Sequence, residues 1–129
     1  MNTGLKSKSV LISGASLNIG ADAVLAFARE GANLAICGSA KAEHLHEVAD
    51  KTRELGAKVV AQHTDVADDA AVKKFLNKTV AELGAVHVAT NNAMERGAEG
   101  GFFTVSDQAW ESSFRLDLER RGRSAAMRC

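Results

Sequence analysis

An α/β fold, in which a parallel sheet carries helices on both faces, is the fold class predicted by this 129-residue sequence. Two observations lead to this prediction. Short apolar runs alternate four times with amphipathic helical patterns, and the connections between them are short. The strand patterns are also continuous apolar runs, which are typical of parallel strands covered on both faces. Right-handed crossovers would join such strands into one doubly wound sheet.

The first unit joins a strand over residues 8–13 to a helix that ends at Gly31. Gly14, in the turn between them, permits a positive φ, and Asn18 tolerates the same left-handed geometry. Gly20 lets the start of the helix lie against a strand or a ligand. The periodicity predicts one buried helix face, formed by Ile19, Ala23, Val24, Phe27 and Ala28.

A phosphate site is the function that this turn indicates. Amide groups at a helix N-terminus lack intrahelical partners and attract anions, and a strand–turn–helix with glycines brings them close to a ligand. Ser13 and Ser16 offer hydroxyl groups to the same phosphate. An ordinary tight turn is the alternative, because glycine spacing alone is weak evidence.

The second strand, residues 33–37, ends at Gly38 and Ser39 and leads into a helix over residues 41–55. That helix is predicted to bury Leu45, Val48, Thr52 and Leu55. A third strand over residues 58–63 precedes a helix capped by Asp68 or Asp69 and stopped by Gly84. Its predicted buried residues are Val72, Phe75, Leu76, Val80 and Leu83.

The fourth strand covers residues 86–90, and a loop over residues 91–105 connects it to a helix capped by Ser106. This helix is predicted to bury Trp110, Phe114 and Leu118. In the Rossmann arrangement the strand order is 3-2-1-4, so a ligand crevice is expected between residues 14–20 and 91–94. We predict one domain over residues 1–118 and a basic tail over residues 119–129.

Composition limits the classes of partner. The tail has four arginines and one glutamate, hence a charge of +3, and the zero total leaves −3 for residues 1–118. An acidic body lacks the positive field that nucleic-acid binding requires. The chain shows neither a signal peptide pattern nor the ~20 apolar residues of a membrane span. Its two cysteines favour a reducing compartment. We therefore expect a cytoplasmic protein with no nucleic acid or membrane partner.

No metal site is predicted from the histidines. His44 and His46 lie about 200° apart on the predicted helix, so they cannot chelate one ion from a single face. His63 and His87 are expected to have structural or surface roles, and Cys37 is expected to be a small buried hydrophobe.

Four ordered features resemble the short-chain dehydrogenase/reductase family, over roughly residues 5–118. Residues 13–20, Ser-Gly-Ala-Ser-Leu-Asn-Ile-Gly, resemble its Thr-Gly-x-x-x-Gly-x-Gly turn, and Asp65-Val66 is similar to its adenine-contacting Asp-Val/Leu pair. Asn91-Asn92-Ala93-Met94 resembles the Asn-Asn-Ala-Gly motif, and Trp110 matches a common tryptophan. Met94 departs from the family's glycine.

The resemblance implies a nicotinamide dinucleotide cofactor. The resemblance implies that Asp65 contacts the adenine ring. Its alternative role is to cap the following helix, although Asp68 and Asp69 are available for that purpose. The cofactor-binding residues it implies are Ser13, Gly14, Ser16, Asn18, Ile19, Gly20, Gly38, Ser39, Asp65, Val66, Asn91, Asn92 and Ala93.

The end of the second strand bears on the choice of cofactor. An acid there would accept hydrogen bonds from the adenine ribose and repel a 2′-phosphate. This sequence has Gly38 and Ser39, with Lys41 beyond, and lacks both that acid and the arginine of many NADP-preferring members. We favour NADP over NAD.

Catalysis is not predicted for these residues alone. The family uses a tyrosine as general acid/base with a lysine four residues later, and the sequence contains no tyrosine. The asparagine of the family's fourth helix corresponds to Asp117, to which no role is transferred. The pattern also fails after Leu118, which suggests an interrupted or frame-shifted gene product, and the family's usual dimer-interface helices are incomplete.

Two functions therefore remain, together with a third interpretation, a truncated product that has neither a stable fold nor a function. The chain is the cofactor-binding part of an oxidoreductase for an unknown alcohol or carbonyl substrate, or it is a non-catalytic NAD(P)-binding or partner-binding module.

Overall fold

The structure, a computed structural model, describes residues 2–94, 106–108 and 111. The elements in chain order are β1 (Ser9–Ser13), α1 (Asn18–Arg29), β2 (Asn33–Gly38), α2 (Ala42–Glu54), β3 (Val59–His63), α3 (Asp69–Leu83) and β4 (Val88–Thr90). Within these residues the strands form one sheet in the order β3-β2-β1-β4, and every neighbouring pair is parallel. The predicted fold class and strand order are confirmed.

The core explains why β1 and β2 are continuous apolar runs. Val10 and Ile12 of β1 pack in one cluster with residues of α1 and α2. Leu11 points to the opposite face, because strand side chains alternate, and it is also buried. Both faces of β1 are therefore covered.

Three residues predicted to be buried are exposed. Ile19 is 75% exposed because the buried stripe of α1 begins one residue later, at Gly20, and continues through Val24 and Ala28. Leu55 is 44% exposed because it lies at the cap position beyond the end of α2.

Val80 is 46% exposed because α3 buries the neighbouring residue, Thr79. The Thr79 hydroxyl donates to the Phe75 carbonyl at 2.9 Å, so its polar atom is satisfied inside the helix. The prediction placed the apolar Val80 on this face, whereas the structure places Thr79 there.

Strand β4 is shorter than the predicted residues 86–90. It pairs with β1 at three positions, from Val10–Val88 to Ile12–Thr90. Immediately before it, the His87 amide donates to the Ser9 carbonyl at 2.9 Å, and the His87 Nδ1 accepts from the Ser9 amide at 3.0 Å. The Ser9 amide thus donates to an imidazole nitrogen and not to a backbone oxygen, and the regular ladder of β4 begins one residue later, at Val88.

The chain divides into two compact units, Met1–Ala93 and Met94–Cys129. In the second unit Asp107, Gln108 and Glu111 are helical, as predicted for this segment. The predicted burial of Trp110, Phe114 and Leu118 and the predicted domain boundary at residue 118 lie outside the described residues. No helix in the described part of the chain is long and apolar enough to cross a membrane.

Replacing Asp68 with alanine should cost about 1 kcal/mol of unfolding free energy. Its side chain accepts hydrogen bonds from the amides of Ala70 and Ala71 at 3.0 and 3.2 Å, so it is the N-cap of α3. Asp69→Ala is the matched control, since the Asp69 side chain forms an exposed ion pair with Lys73 and accepts from no helix amide among the described hydrogen bonds. Urea unfolding of both variants measures the difference, and equal losses would contradict the assignment of the cap.

Candidate functional site

The turn between β1 and α1 has the backbone conformation that its residues predict. Gly14 has φ 65° and Asn18 has φ 51°, both in the left-handed region. The Ala15 amide donates to the Cys37 carbonyl at 3.0 Å, which fixes the turn to the end of β2. The turn therefore lies at the carboxyl edge of the sheet, where ligands bind in open α/β folds.

The two glycines of the turn are required by contacts within the protein. A Cβ on Gly14 would lie 2.8 Å from the Ala93 Cα. A Cβ on Gly20 would collide with the Gly14 carbonyl oxygen and lie 2.6 Å from the Asn92 Nδ2. The sequence left open whether Gly20 makes room for a strand or a ligand, and the structure shows that it makes room for the turn and for Asn92.

Ser13 ties the end of β1 to the segment after β4. Its hydroxyl accepts hydrogen bonds from the amides of Asn92 and Ala93 at 3.1 and 3.2 Å and lies 3.5 Å from the Thr90 carbonyl, to which it donates. The Asn92 side chain donates to the Gly14 carbonyl at 3.1 Å. The structure thus brings the turn into contact with residues 92 and 93, and it occupies the Ser13 hydroxyl with backbone partners.

Ser16 carries a buried hydroxyl without a hydrogen-bond partner among the described residues. The residue is 5% exposed. Its Oγ lies against Gly38, so close that a Cβ on Gly38 would collide with it. Asn91 carries a second buried acceptor, Oδ1, without a partner in the described part of the chain. Buried polar atoms in native proteins normally have partners, so these two atoms are available to a ligand at this edge of the sheet.

The start of α1 suits an anion. Leu17 occupies the N-cap, so no side chain caps the amides, and the first turn contains no acidic residue. The first turns of α2 and α3 contain Glu43 and Asp69. Among the helices within residues 2–94, α1 is therefore the one whose first turn has no acidic side chain to neutralise the positive end of the helix dipole. The exposed side chain of Ile19 lies in this first turn.

The ends of β2 and β3 form the second part of the site. Gly38 pairs with His63, and the Thr64 amide donates to the Gly38 carbonyl at 3.0 Å. Ser39 is exposed. The Asp65 carboxylate accepts from the Ala67 amide at 2.9 Å, whereas Asp68 caps α3. The alternative role of Asp65 as that cap is therefore excluded, and Val66 beside it is buried.

Within residues 2–94, the remaining chemically capable side chains do not form a reactive centre. Burial raises the pKa of the Cys37 thiol to about 12, so it stays protonated and is a poor nucleophile at neutral pH. The His63 Nε2 lies 3.0 Å from the Ala40 carbonyl oxygen. Among the described residues no group of three histidine, cysteine, aspartate or glutamate side chains could hold a metal ion.

A parallel sheet of this strand order, with a glycine turn leading to a helix N-terminus at its carboxyl edge, defines a Rossmann-type α/β protein. Residues 8–119 match the short chain dehydrogenase family model. The chain belongs to the short-chain dehydrogenase family.

Individual relatives agree with this assignment. A short chain dehydrogenase/reductase of Macrophomina phaseolina is 36% identical over 117 residues, which cover 90% of this chain and 66% of the relative. General stress protein 39 of Bacillus subtilis is 29% identical over 114 residues, 88% of this chain but 40% of its own length. The chain thus spans well under half of the latter protein.

The fold also matches solved structures. An NAD⁺-bound xylitol dehydrogenase superimposes with a TM-score of 0.89 at 23% identity, over 95% of this chain and 46% of that protein. At this identity the likeness concerns the fold.

Two features of the site could not be found from the sequence. The Ser13 contacts cross from β1 to residues 91–93 and depend on the pairing of β1 with β4. The contact of Ser16 with Gly38 depends on how the turn lies over β2. The family pattern marks both serines as site residues, but it does not distinguish the satisfied hydroxyl from the unsatisfied one.

Proposed function

We propose that this chain supplies the nicotinamide-dinucleotide-binding part of a short-chain oxidoreductase that interconverts an alcohol and a carbonyl group. The observation that carries the proposal is the uncapped start of α1 beside the Ser16 hydroxyl, which is buried and has no hydrogen-bond partner among the described residues. An anion with several oxygen atoms would satisfy both, and a dinucleotide carries such a group in its pyrophosphate. The family membership and the NAD⁺-bound structural neighbour support the same choice.

Six residues of the site have assigned roles in this proposal. The amides at the start of α1 bind the pyrophosphate, and Ser16 donates to an oxygen of the bound dinucleotide. Ser13 positions the turn and does not contact phosphate, because its hydroxyl is occupied. Asp65 and Val66 contact the adenine ring, while Gly38 and Ser39 border its ribose. The other residues of the proposed cofactor site are Gly14, Asn18, Ile19, Gly20, Asn91, Asn92 and Ala93.

The bound cofactor would supply the hydride, and these residues would orient it at the carboxyl edge of the sheet. The sequence contains no tyrosine, so the family's tyrosine acid/base would have to come from residues outside these 129. For that reason we propose cofactor binding without turnover for this chain alone. The same observation favours the second candidate function, a non-catalytic NAD(P)-binding module.

We further propose that NADP binds in preference to NAD. The end of β2 presents Gly38 and the exposed Ser39 in place of an acid that would repel a 2′-phosphate. Lys41, also exposed, adds a positive charge at the start of α2. A phosphate on the adenine ribose would therefore meet hydroxyl and ammonium groups at this edge.

NADPH should raise the melting temperature of the purified chain more than equal concentrations of NADH, because selective ligands stabilise the folded state. Lys41→Ala should weaken NADPH binding about fivefold and leave NADH binding unchanged, since only the phosphate meets the lysine. Lys51→Ala, in the last turn of α2, is the matched control and should change neither. Isothermal titration gives both dissociation constants.

The outcomes separate the two proposals. Absence of any shift with either nucleotide would refute cofactor binding by this chain. Tighter binding of NADH would refute the NADP preference while leaving the dinucleotide site intact.

A further inference from the structure

We propose that Ser16 is a specificity-determining residue, because its hydroxyl occupies the space from which a side chain at position 38 would extend. Ser16 and Gly38 would then act as a pair. The serine excludes from position 38 the acidic side chain that would select NAD. The preference for NAD or NADP is therefore determined jointly by residue 16 in the turn and residue 38 at the end of β2. This inference rests on the proposed dinucleotide site.

The obstacle at position 38 is a single atom. A Cβ built on Gly38 collides with the Ser16 Oγ, whereas it would lie 3.5 Å from the Ser16 Cβ and 3.7 Å from the Ser16 amide nitrogen. The latter two distances are ordinary van der Waals contacts. Removing the hydroxyl alone would therefore make room for a side chain at position 38.

The backbone at Gly38 cannot easily move away from this contact. The preceding carbonyl, of Cys37, accepts from the Ala15 amide at 3.0 Å, and the carbonyl of Gly38 accepts from the Thr64 amide at 3.0 Å. Gly38 is also paired with His63 in the sheet. The residue is held by the turn on one side and by β3 on the other.

Space, and not backbone conformation, requires glycine at position 38. The φ of Gly38 lies outside the left-handed region, in contrast to Gly14 and Gly56. Any L-residue could adopt this backbone if the Ser16 hydroxyl were absent. Ser16 is 5% exposed, so the hydroxyl that this Cβ would meet is itself buried.

An acid at the end of the second strand accepts hydrogen bonds from the ribose hydroxyls of NAD and repels a 2′-phosphate. In this chain such an acid would have to displace the Ser16 hydroxyl before its carboxylate could reach a ribose. Glycine at position 38 carries no carboxylate that would repel a 2′-phosphate. The Ser16 hydroxyl keeps position 38 empty of larger side chains. The two residues thus favour NADP together.

A double-mutant cycle tests the steric half of the proposal in the absence of any ligand. Gly38→Ala and Gly38→Asp should each lower the melting temperature by about 5 °C, as overpacking does in a domain of this size. In the Ser16→Ala background the same changes should lower it by less than about 2 °C. Gly56→Ala is the control, since a Cβ there meets no described atom within 4 Å, and its cost should be equal in both backgrounds.

Dinucleotide titration tests the selectivity half. Relative to the wild-type chain, Ser16→Ala combined with Gly38→Asp should shift the affinity ratio about tenfold toward NADH, and Gly38→Asp alone should not. A wild-type melting temperature for Gly38→Asp, or equal losses in both backgrounds, would overturn the inference. An unchanged ratio of the NADH and NADPH affinities in the double variant would overturn the proposal that residues 16 and 38 jointly determine the preference. If the wild-type chain bound neither nucleotide, the proposed function would fail, and the melting cycle would still decide the steric coupling.

Discussion

Replacing Gly20 with alanine should destabilise the chain by about 3 kcal/mol or more, and it should abolish dinucleotide binding. The added Cβ would collide with the Gly14 carbonyl oxygen and lie 2.8 Å from the Gly14 carbonyl carbon. Both atoms belong to the backbone of the turn, so no side-chain rotation relieves the contact. The start of α1 would have to separate from the turn, and the amides proposed to bind phosphate would move with it.

The sign of this effect distinguishes close packing from helix propensity. Gly20 lies in the first turn of α1 and its φ is outside the left-handed region, so alanine would normally stabilise the helix by up to about 1 kcal/mol. The control is Ala26→Gly on the exposed side of the same helix, which should cost about 1 kcal/mol. Urea unfolding gives both values, and a Gly20→Ala variant as stable as the wild-type chain would show that the turn does not pack as described.

Replacing Ser13 with alanine should cost about 2–3 kcal/mol of unfolding free energy. The hydroxyl accepts from two amides, those of Asn92 and Ala93, and alanine would leave both without this partner. Burying unpaired donors is more costly than losing an average hydrogen bond. The connection between the turn and residues 91–93 should loosen, and amide exchange at these two residues should accelerate.

Ser9→Ala is the matched control for this experiment, since Ser9 lies in the same strand and is equally buried. Its hydroxyl makes one long contact, 3.4 Å to the Leu83 carbonyl, so alanine should change the stability by less than about 1 kcal/mol. Ser13→Thr should behave like the wild-type chain, because threonine keeps the hydroxyl and is the residue of the family's turn. Equal losses for Ser9→Ala and Ser13→Ala would contradict the special role of Ser13.

Both predictions concern contacts that hold the proposed cofactor site together before any ligand binds. Gly20 and Ser13 place the start of α1 beside the end of β1 and residues 91–93, and neither needs to contact the dinucleotide to do so. A loss of binding in these variants would therefore accompany a loss of stability. In the Ser16→Ala variant, by contrast, binding should weaken without such a loss, because the hydroxyl has no partner among the described residues.

The sequence alone determined the fold class and the order of the strands, and it predicts where the dinucleotide site lies. Continuous apolar runs predict parallel strands because both faces of β1 and β2 must be covered, and local glycine and asparagine chemistry predicts the left-handed residues Gly14 and Asn18. Helix faces were less certain. A shift of one residue turns the buried stripe by about 100°, which is why Ile19 and Val80 were misplaced.

Only the tertiary structure decided what each residue of the turn contacts. Ser13 and Ser16 are the same residue type three positions apart. One hydroxyl is occupied by the backbone of residues 92 and 93, and the other is buried against Gly38 without a partner in the described part of the chain. The difference arises from strand pairing, which brings segments distant in sequence to the carboxyl edge of the sheet. Local patterns cannot show it, because hydrogen bonds and close contacts at this edge depend on distances between chain segments and not on spacing along the chain.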